Sequence, residues 1–180
     1  MTNLIIITAR KNSKRLKNKN ILKIGKKNLV ERSIEFALKV EKKNNIFMST
    51  DSLRIRKIAK KYNIICPSLR PKKLSSNKAT SEDATIHAVN LFEKLMKVKV
   101  NTIVLLQPTS PFRSMNIYNK TLKIFNKNNL PTITVSKISP INLKNKIIFS
   151  SKKQIKMVKK INNHYFTNGN LYMIRKKDLF

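Results

Sequence analysis

The hydrophobic residues at the start of the chain form a continuous run, followed by a helical pattern. Asn3–Thr8 is rich in isoleucine and uncharged, which is typical of a strand buried on both faces in a parallel sheet. After a basic loop, apolar positions recur at helical intervals over residues 28–43, and Asn28 with Glu31 has the spacing of a capping box. The pattern therefore predicts a central strand followed by a helix.

The same alternation continues along most of the chain. Further strands are predicted at residues 45–50, 64–66, 102–106, 132–135 and 171–174. Further helices are predicted from apolar or small residues at helical spacing, which are Ile55, Ile58, Ala59 and Tyr62, then Ala84, Ala88, Leu91 and Leu95, and then Ile117, Thr121, Ile124 and Phe125. Strands that alternate with crossover helices predict an α/β fold, a three-layer α/β/α sandwich around a mostly parallel sheet. Ligands of such sheets bind beyond the carboxyl ends of the strands.

Two segments break this alternation. Residues 68–77 are polar, contain Pro71 and are predicted to form a loop. Residues 137–164 show only loose alternation among many lysines. They are predicted to be either hairpin-like strands or an excursion from the main sheet, and the pattern leaves both alternatives open.

The length and the charge of the chain add two expectations. A chain of 180 residues with 41% hydrophobic residues predicts a single packed domain over residues 1–180. Forty Lys and Arg against eight Asp and Glu give a net charge of +32, so an anionic partner is expected. Most of the cations are dispersed lysines, which favours a solvated surface. Binding of nucleic acid is the weaker alternative.

Several classes of protein are excluded by the sequence. The single cysteine, Cys66, excludes an intrachain disulfide and a multi-cysteine zinc site. No apolar run reaches the length of a membrane span, and the first run is too short for a signal peptide. A cytoplasmic protein without a membrane partner is therefore predicted.

Polar loops follow three of the predicted strands, at residues 8–20, 49–51 and 107–111. The first loop combines cations with a hydroxyl and an amide, as a polyphosphate requires; these residues are Arg10, Lys11, Lys14, Arg15, Lys19, Ser13 and Asn20. The alternative is a basic loop that is merely solvated. A Walker A motif and a glycine-rich dinucleotide motif are excluded, because the two glycines, Gly25 and Gly169, stand far apart.

An ordered set of short motifs, spread from residue 4 to residue 174, resembles one family. The set comprises Ala9-Arg10, Ser13-Lys14-Arg15, Lys19-Asn20, Ser49-Thr50-Asp51, Arg70-Pro71 with Leu74, Ser81 with Asp83 and His87, Leu105 to Pro111 with Arg113, and Asn168-Gly169 with Tyr172. These motifs resemble those of the CMP-sialic acid synthetases, also called acylneuraminate cytidylyltransferases. The resemblance implies the fold of the nucleotide-diphospho-sugar transferases.

The resemblance also implies an activity. It is the transfer of CMP from CTP to the anomeric hydroxyl of an acidic nine-carbon sugar (sialic, legionaminic or pseudaminic acid), with Mg²⁺ and with release of pyrophosphate. A homodimer is also implied, because members of this family commonly dimerise through an excursion like residues 137–164.

Roles for individual residues follow from the same resemblance. Arg10 and Lys19 would be catalytic, with Lys19 closest to the reacting phosphate. The nucleotide would be bound by Ala9, Arg10, Ser13, Lys19, Asn20, Arg70 and Ser81. The acceptor sugar would face Gln107, with Asn168 and Tyr172 near its pocket.

The chain departs from the family in two places. Thr8 and Lys11-Asn12 stand where the family usually has a proline and a pair of glycines, so Lys11 either supplies charge to the triphosphate or obstructs it. The chain also ends at Phe180 without the acidic motif on which the family holds its metal. The domain is therefore expected to be incomplete at its C-terminus, and its metal ligands are left unknown.

The remaining candidates have structural explanations. Asp51 is predicted to cap a helix or to neutralise Arg54, Asp83 to cap a helix, His87 to be a packed histidine, and His164 to lie at the surface. Three alternatives to the main hypothesis stay open. They are a truncated homologue that binds nucleotide without turnover, a cytidylyltransferase for the eight-carbon sugar acid Kdo, and a basic nucleic-acid-binding protein.

Overall fold

A five-stranded sheet forms the centre of the computed structural model, which describes residues 2–13, 16–76, 78–137, 148–149, 155–156 and 165–180. The strands are β1 (Thr2–Thr8), β2 (Lys23–Ile24), β3 (Lys27–Asn28), β4 (Ile46–Ser49), β5 (Val100–Leu106), β6 (Thr132–Lys137), β7 (Ile148–Phe149), β8 (Ile155–Lys156) and β9 (Tyr165–Arg175). The helices are α1 (Leu29–Val40), α2 (Leu53–Lys61), α3 (Ser81–Met96) and α4 (Met115–Asn128).

The strand order in the central sheet is β4-β1-β5-β9-β6. β1 runs parallel to both of its neighbours, with Ile6 beside Phe47 on one side and Leu105 on the other. β9 is antiparallel to both β5 and β6, so the other four strands share one direction. The prediction of a mostly parallel sheet is confirmed.

Helices cover both faces of the sheet, which confirms the three-layer sandwich. One core contains Ile5 and Ile7 of β1 together with buried residues of α1, α2 and α4. A second core contains Leu4 and Ile6 together with buried residues of α3. Alternate residues of β1 thus enter opposite cores, which explains why its sequence is apolar without interruption.

The short run at residues 64–66 was predicted to be a strand and is only a single bridge, so that prediction was wrong. Ile65 pairs in parallel with Phe47, and its backbone makes one hydrogen bond to Met48 and one to Ile46. Pro67 follows almost at once and has no N–H to continue a ladder. The loop predicted at 68–77 contains a short 3₁₀ helix at Lys72–Ser75.

Within residues 137–164, the structure describes two short strands beyond the end of β6. β7 and β8 pair with each other in an antiparallel arrangement, in a sheet of their own. The rest of this segment, including His164, lies outside the described residues, so its proposed part in a dimer stays a prediction.

Three helix starts show how the local sequence sets these boundaries. At α1, the Asn28 side chain accepts from the Glu31 N–H and the Glu31 carboxylate accepts from the Asn28 N–H, both at 2.9 Å, as the capping box predicts. Asp83 forms a similar box with Thr80 at α3. The α2 cap is Ser52, which corrects the expectation that Asp51 caps this helix.

Among the residues that the structure describes, no helix is both long enough and apolar enough to cross a membrane.

Candidate functional site

A cavity of about 300 Å³ opens at the carboxyl edge of β1 and β5, beside the first turn of α3. It brings together most of the predicted site residues, which are Arg10, Ser13, Lys19, Asn20, Arg70, Ser81 and Gln107. The rest of its lining is hydroxyl-bearing or small apolar, from Thr8, Leu74, Ser76, Ala79, Thr80, Ala84, Pro108 and Thr109. The expected edge of the sheet therefore holds a cationic cavity.

The loop that leaves β1 is held by its backbone. Ala9 is fully buried, and its N–H donates to the Ser49 carbonyl at 3.0 Å, which extends the β1–β4 ladder by one residue. The Asn20 side chain donates to the Arg10 carbonyl at 2.9 Å. Ala9 thus faces the core rather than the cavity, and Asn20 both lines the cavity and fixes the loop that carries Arg10.

Lys11 is placed by Asp51. Its backbone N–H donates to Asp51 Oδ1 at 2.6 Å, and the exposed Lys11 is absent from the cavity lining. Lys14 and Arg15 of the same loop lie outside the described residues. The carboxylate of Asp51 therefore orders the loop at the position where the family usually has glycine.

Arg70 is a buried cation at the cavity wall, with 8% of its surface exposed. The backbone N–H of Arg70 donates to the Thr50 carbonyl at 2.7 Å, and the side-chain Nε donates to Ser75 Oγ at 3.2 Å. Burial lowers the pKa of Arg70; the negative charge of Asp51 opposes this shift and the positive charge of Arg10 adds to it. Two guanidinium groups thus repel each other across the cavity, and an anionic ligand would relieve that repulsion.

Gln107, which lines the cavity, is in close contact with Gly169. Gly169 has a φ of +67° and is so close to Gln107 that a Cβ atom there would lie 3.0 Å from Gln107 Oε1. A glycine satisfies both the backbone angle and the close approach. The Asn168-Gly169 motif therefore supports Gln107 from the adjacent strand.

Asn168 and Tyr172 do not line the cavity. Asn168 Oδ1 accepts from the Thr134 hydroxyl at 2.8 Å, and Asn168 Nδ2 donates to Ser136 Oγ at 3.0 Å, so this amide joins β9 to β6. Tyr172 lies opposite Leu105 in β5. Their contact with the sugar stays a prediction, and the side-chain hydrogen bonds of Asn168 to Thr134 and Ser136 are made within the sheet.

His87 lies on α3, half-buried, and is absent from the cavity lining. Burial lowers the pKa of His87, and the charge of Arg70 lowers it further. A neutral imidazole at pH 7 agrees with the prediction of a packed histidine.

Sequence reasoning missed the part played by Arg113. This partly buried side chain donates to the carbonyls of Asn170 and Gln107 and to Ser33 Oγ. The sequence offered only its place after the Pro-Thr-Ser-Pro loop, because two of its three partners, Ser33 and Asn170, lie more than fifty positions away and cannot be found from spacing.

The donor groups of the cavity do not fit a protein-held Mg²⁺. Mg²⁺ prefers carboxylate ligands, and the described cavity lining contains no Asp or Glu. In the described ranges no three His, Cys, Asp or Glu side chains form a cluster suited to a metal. The Asp51 carboxylate accepts from Lys11, and those of Glu31 and Asp83 close capping boxes.

Comparison with known proteins agrees with the resemblance seen in the sequence. A family model described as cytidylyltransferase matches residues 4–180. An N-acylneuraminate cytidylyltransferase from Escherichia coli is 35% identical over 68% of this chain and 28% of that protein. A CMP-N,N'-diacetyllegionaminic acid synthase from Legionella pneumophila is 32% identical over 98% of this chain and 79% of that protein. A pseudaminic acid cytidylyltransferase from Campylobacter jejuni is 34% identical over 71% of this chain and 55% of that protein.

These relatives differ in how much of their length the chain spans. The chain covers between about a quarter and four fifths of the length of these relatives. Among solved structures, a CMP:2-keto-3-deoxy-manno-octonic acid synthetase complexed with CTP superposes with a TM-score of 0.74, at 19% identity, over 99% of this chain and 76% of that one. At this identity the superposition shows a shared fold.

Proposed function

Because the chain belongs to the cytidylyltransferase family, we propose that it transfers CMP from CTP to the anomeric hydroxyl of an acidic nine-carbon sugar and releases pyrophosphate. The observation that carries this proposal is the convergence of Arg10, Lys19 and Arg70 on one cavity at the carboxyl edge of the sheet. Three cations suit a triphosphate, whose charge must be neutralised before an oxygen nucleophile can approach.

The transfer requires a bond from the anomeric oxygen to the α-phosphorus of CTP. The bond from that phosphorus to the oxygen bridging to the β-phosphate breaks, so that pyrophosphate leaves, and the hydroxyl proton of the sugar passes to solvent. Among the described residues that line the cavity, none is a carboxylate or a histidine. The contributions of these residues are therefore charge neutralisation and positioning in line, with Lys19 proposed nearest the reacting phosphate.

The acceptor is proposed to lie at the Gln107 end of the cavity. The relatives' names include N-acylneuraminate, diacetyllegionaminic and pseudaminic acids, all acidic sugars whose carboxylate suits a cationic cavity. Gln107 would contact the sugar directly, and Asn168 and Tyr172 would support it from β9. A homodimer formed through residues 137–164 and a cytoplasmic location belong to the same proposal.

The test measures CTP binding and turnover separately. Calorimetric titration with CTP, and with UTP as the control nucleotide, reports binding. Pyrophosphate release is then measured with N-acetylneuraminic, legionaminic or pseudaminic acid as acceptor, and with Kdo. Release with a nine-carbon acid supports the proposal, and release with Kdo alone supports the eight-carbon alternative.

Two other results would replace the proposal. Binding of CTP without pyrophosphate release from any acceptor supports a nucleotide-binding homologue without turnover. Tight, steeply salt-dependent binding of oligonucleotides together with no CTP binding would favour the nucleic-acid alternative.

A further inference from the structure

We propose that Arg113 is a positioning residue that holds Gln107 in place for the acceptor sugar, acting from outside the cavity. The role assigned to Gln107 rests on the function proposed above. The contacts that place Gln107 do not depend on that function.

Arg113 joins three separate parts of the chain. Its Nε donates to the Asn170 carbonyl of β9 at 3.0 Å, its Nη1 donates to Ser33 Oγ of α1 at 3.2 Å, and its Nη2 donates to the Gln107 carbonyl. The Gln107 carbonyl also accepts from the Ser110 N–H at 3.1 Å. Gln107 is therefore held at its main chain by two donors, just where β5 ends.

The same side chain fixes the strand that faces Gln107. Asn170 follows Gly169 directly, and a Cβ atom added at Gly169 would lie 3.0 Å from Gln107 Oε1. The fork of one guanidinium thus sets the separation between the Gln107 turn and the Gly169 segment. An arginine fork can hold two carbonyls in fixed directions, which the single ammonium of lysine does not do.

Arg113 acts without touching the cavity. It packs against α1, with its guanidinium carbon 5.9 Å from the centre of the Phe36 ring, and α1 belongs to the core on one face of the sheet. The cavity includes Ser81 and Ala84 of α3, which packs on the other face. Arg113 is also absent from the cavity lining.

The guanidinium of Arg113 is held by carbonyl and hydroxyl dipoles rather than by an ion pair. The salt bridges of the described residues are Lys27–Glu35 and Lys176–Glu93, and neither includes Arg113. Burial lowers the pKa of Arg113 to about 10, so the group still carries its charge at pH 7. A partly buried cation without a carboxylate is costly, which is consistent with a positional role for its three acceptors.

Arg175 provides a matched control at the other end of the same strand pair. Its guanidinium carbon lies 4.4 Å from the centre of the Phe125 ring, and it donates to Thr102 Oγ1 and Asn129 Oδ1. It pairs with Thr102 near the start of β5, away from the edge that carries the cavity. Replacing either arginine by lysine removes a similar set of contacts.

The first measurement is steady-state kinetics on the full chain. Arg113→Lys is expected to raise the KM for the acceptor sugar about tenfold or more, as misplacement of a positioning group does, while CTP affinity stays near the wild-type value. Arg175→Lys is expected to lower Tm similarly and to leave both constants unchanged. Equal effects of the two variants on the sugar KM, or a parallel loss of CTP affinity in Arg113→Lys, would overturn the proposal.

The second measurement does not require turnover. The sequence contains two glutamines, Gln107 and Gln154, so selective ¹⁵N labelling gives two pairs of side-chain amide signals, assigned with Gln107→Glu. Arg113→Lys is expected to shift the Gln107 signals, and Arg175→Lys is expected to leave them in place. If the wild type releases no pyrophosphate, the proposed function fails and these signals alone decide the positioning role, since unmoved Gln107 signals would refute it.

Discussion

Gly169 and Gln107 are in such close contact that a single methyl group on the glycine would lie 3.0 Å from the Gln107 side-chain oxygen. Gly169→Ala is therefore expected to displace Gln107 and to raise the sugar KM about tenfold. The positive φ of this position adds about 1 kcal/mol of lost stability. Kinetics and chemical denaturation of the same variant measure the two effects.

Gly25→Ala is the control for that variant. Gly25 has nearly the same φ, +64°, and the nearest atom to an added Cβ is Arg32 Nη2 at 3.7 Å. A similar loss of stability is expected, with no change in sugar KM. If both glycine variants change the KM equally, the contact with Gln107 has no part in acceptor binding.

Arg10 is expected to contribute strongly to CTP binding. If its guanidinium makes a charged hydrogen bond to phosphate, Arg10→Ala weakens binding by about 1.5–3 kcal/mol, measured by calorimetry. Arg54→Ala removes an exposed cation of α2 and is expected to leave the affinity nearly unchanged. Equal losses in the two variants would show that only the general positive charge attracts CTP, and an unchanged affinity in Arg10→Ala would exclude Arg10 from the site.

Substitution of Lys11 tests whether CTP binding depends on the lysine that stands where the family usually has glycine. Its amide donates to Asp51 and its side chain does not line the cavity, so Lys11→Gly is expected to keep CTP affinity within about twofold, since a backbone donor survives substitution. Lys11→Met separates the charge from the shape of the side chain. Tighter binding by Lys11→Gly alone would show that the lysine obstructs the triphosphate.

How much of this site could be predicted from the sequence depends on the range of the interactions involved. The β1 strand and the Asn28–Glu31 capping box are set by neighbouring residues, and the pattern predicted both. Asp51 was predicted to cap a helix or to neutralise Arg54, and Asp and Ser are equally good caps at the sequence level. Only the long-range bond from Lys11 shows that Asp51 is engaged elsewhere.

Two other features of the structure could not be predicted, for the same physical reason. Residues 64–66 have a strand-like composition, but the pairing available to Ile65 is a single bridge before Pro67. Asn168 belonged to a recognisable motif, yet its partners Thr134 and Ser136 lie more than thirty positions away. Periodicity and spacing report on local structure, whereas these contacts depend on which strands become neighbours.

Removal of divalent metal is expected to leave CTP binding intact. The described carboxylates do not form a metal site beside the cavity, and metal-free CTP carries more negative charge, which a cationic cavity attracts more strongly. Titration of the 180-residue chain with CTP in EDTA should therefore show affinity at least equal to that in Mg²⁺. Binding that requires Mg²⁺ would mean that this chain completes a metal site with the nucleotide.

Glu93 is expected to make stability depend on pH below the neutral range. Its carboxylate is paired with Lys176 Nζ at 2.7 Å and accepts from the Val100 N–H at 2.8 Å. Burial would raise the pKa of Glu93, but these hydrogen bonds, with the charges of Lys176 and Lys99, outweigh burial and hold the pKa below its usual value. The ionised group thus stabilises the fold above the ordinary Glu pKa of about 4.3, and this contribution is lost as pH falls through the lowered pKa.

Glu93→Gln should therefore lower the free energy of unfolding at pH 7 by about 1 kcal/mol. The difference from wild type should narrow as the pH falls below the ordinary Glu pKa of about 4.3, because the wild-type carboxyl takes up a proton first in the unfolded chain and then, below its lowered pKa, in the folded protein, where it resembles the amide. Urea denaturation of both proteins across this pH range measures the difference in their free energies of unfolding. The Lys176→Met variant, together with the Glu93→Gln/Lys176→Met double variant, gives the coupling energy between the two side chains. A difference that stays constant from pH 7 to the lowest pH at which both proteins fold would show that ionisation of Glu93 contributes nothing to stability.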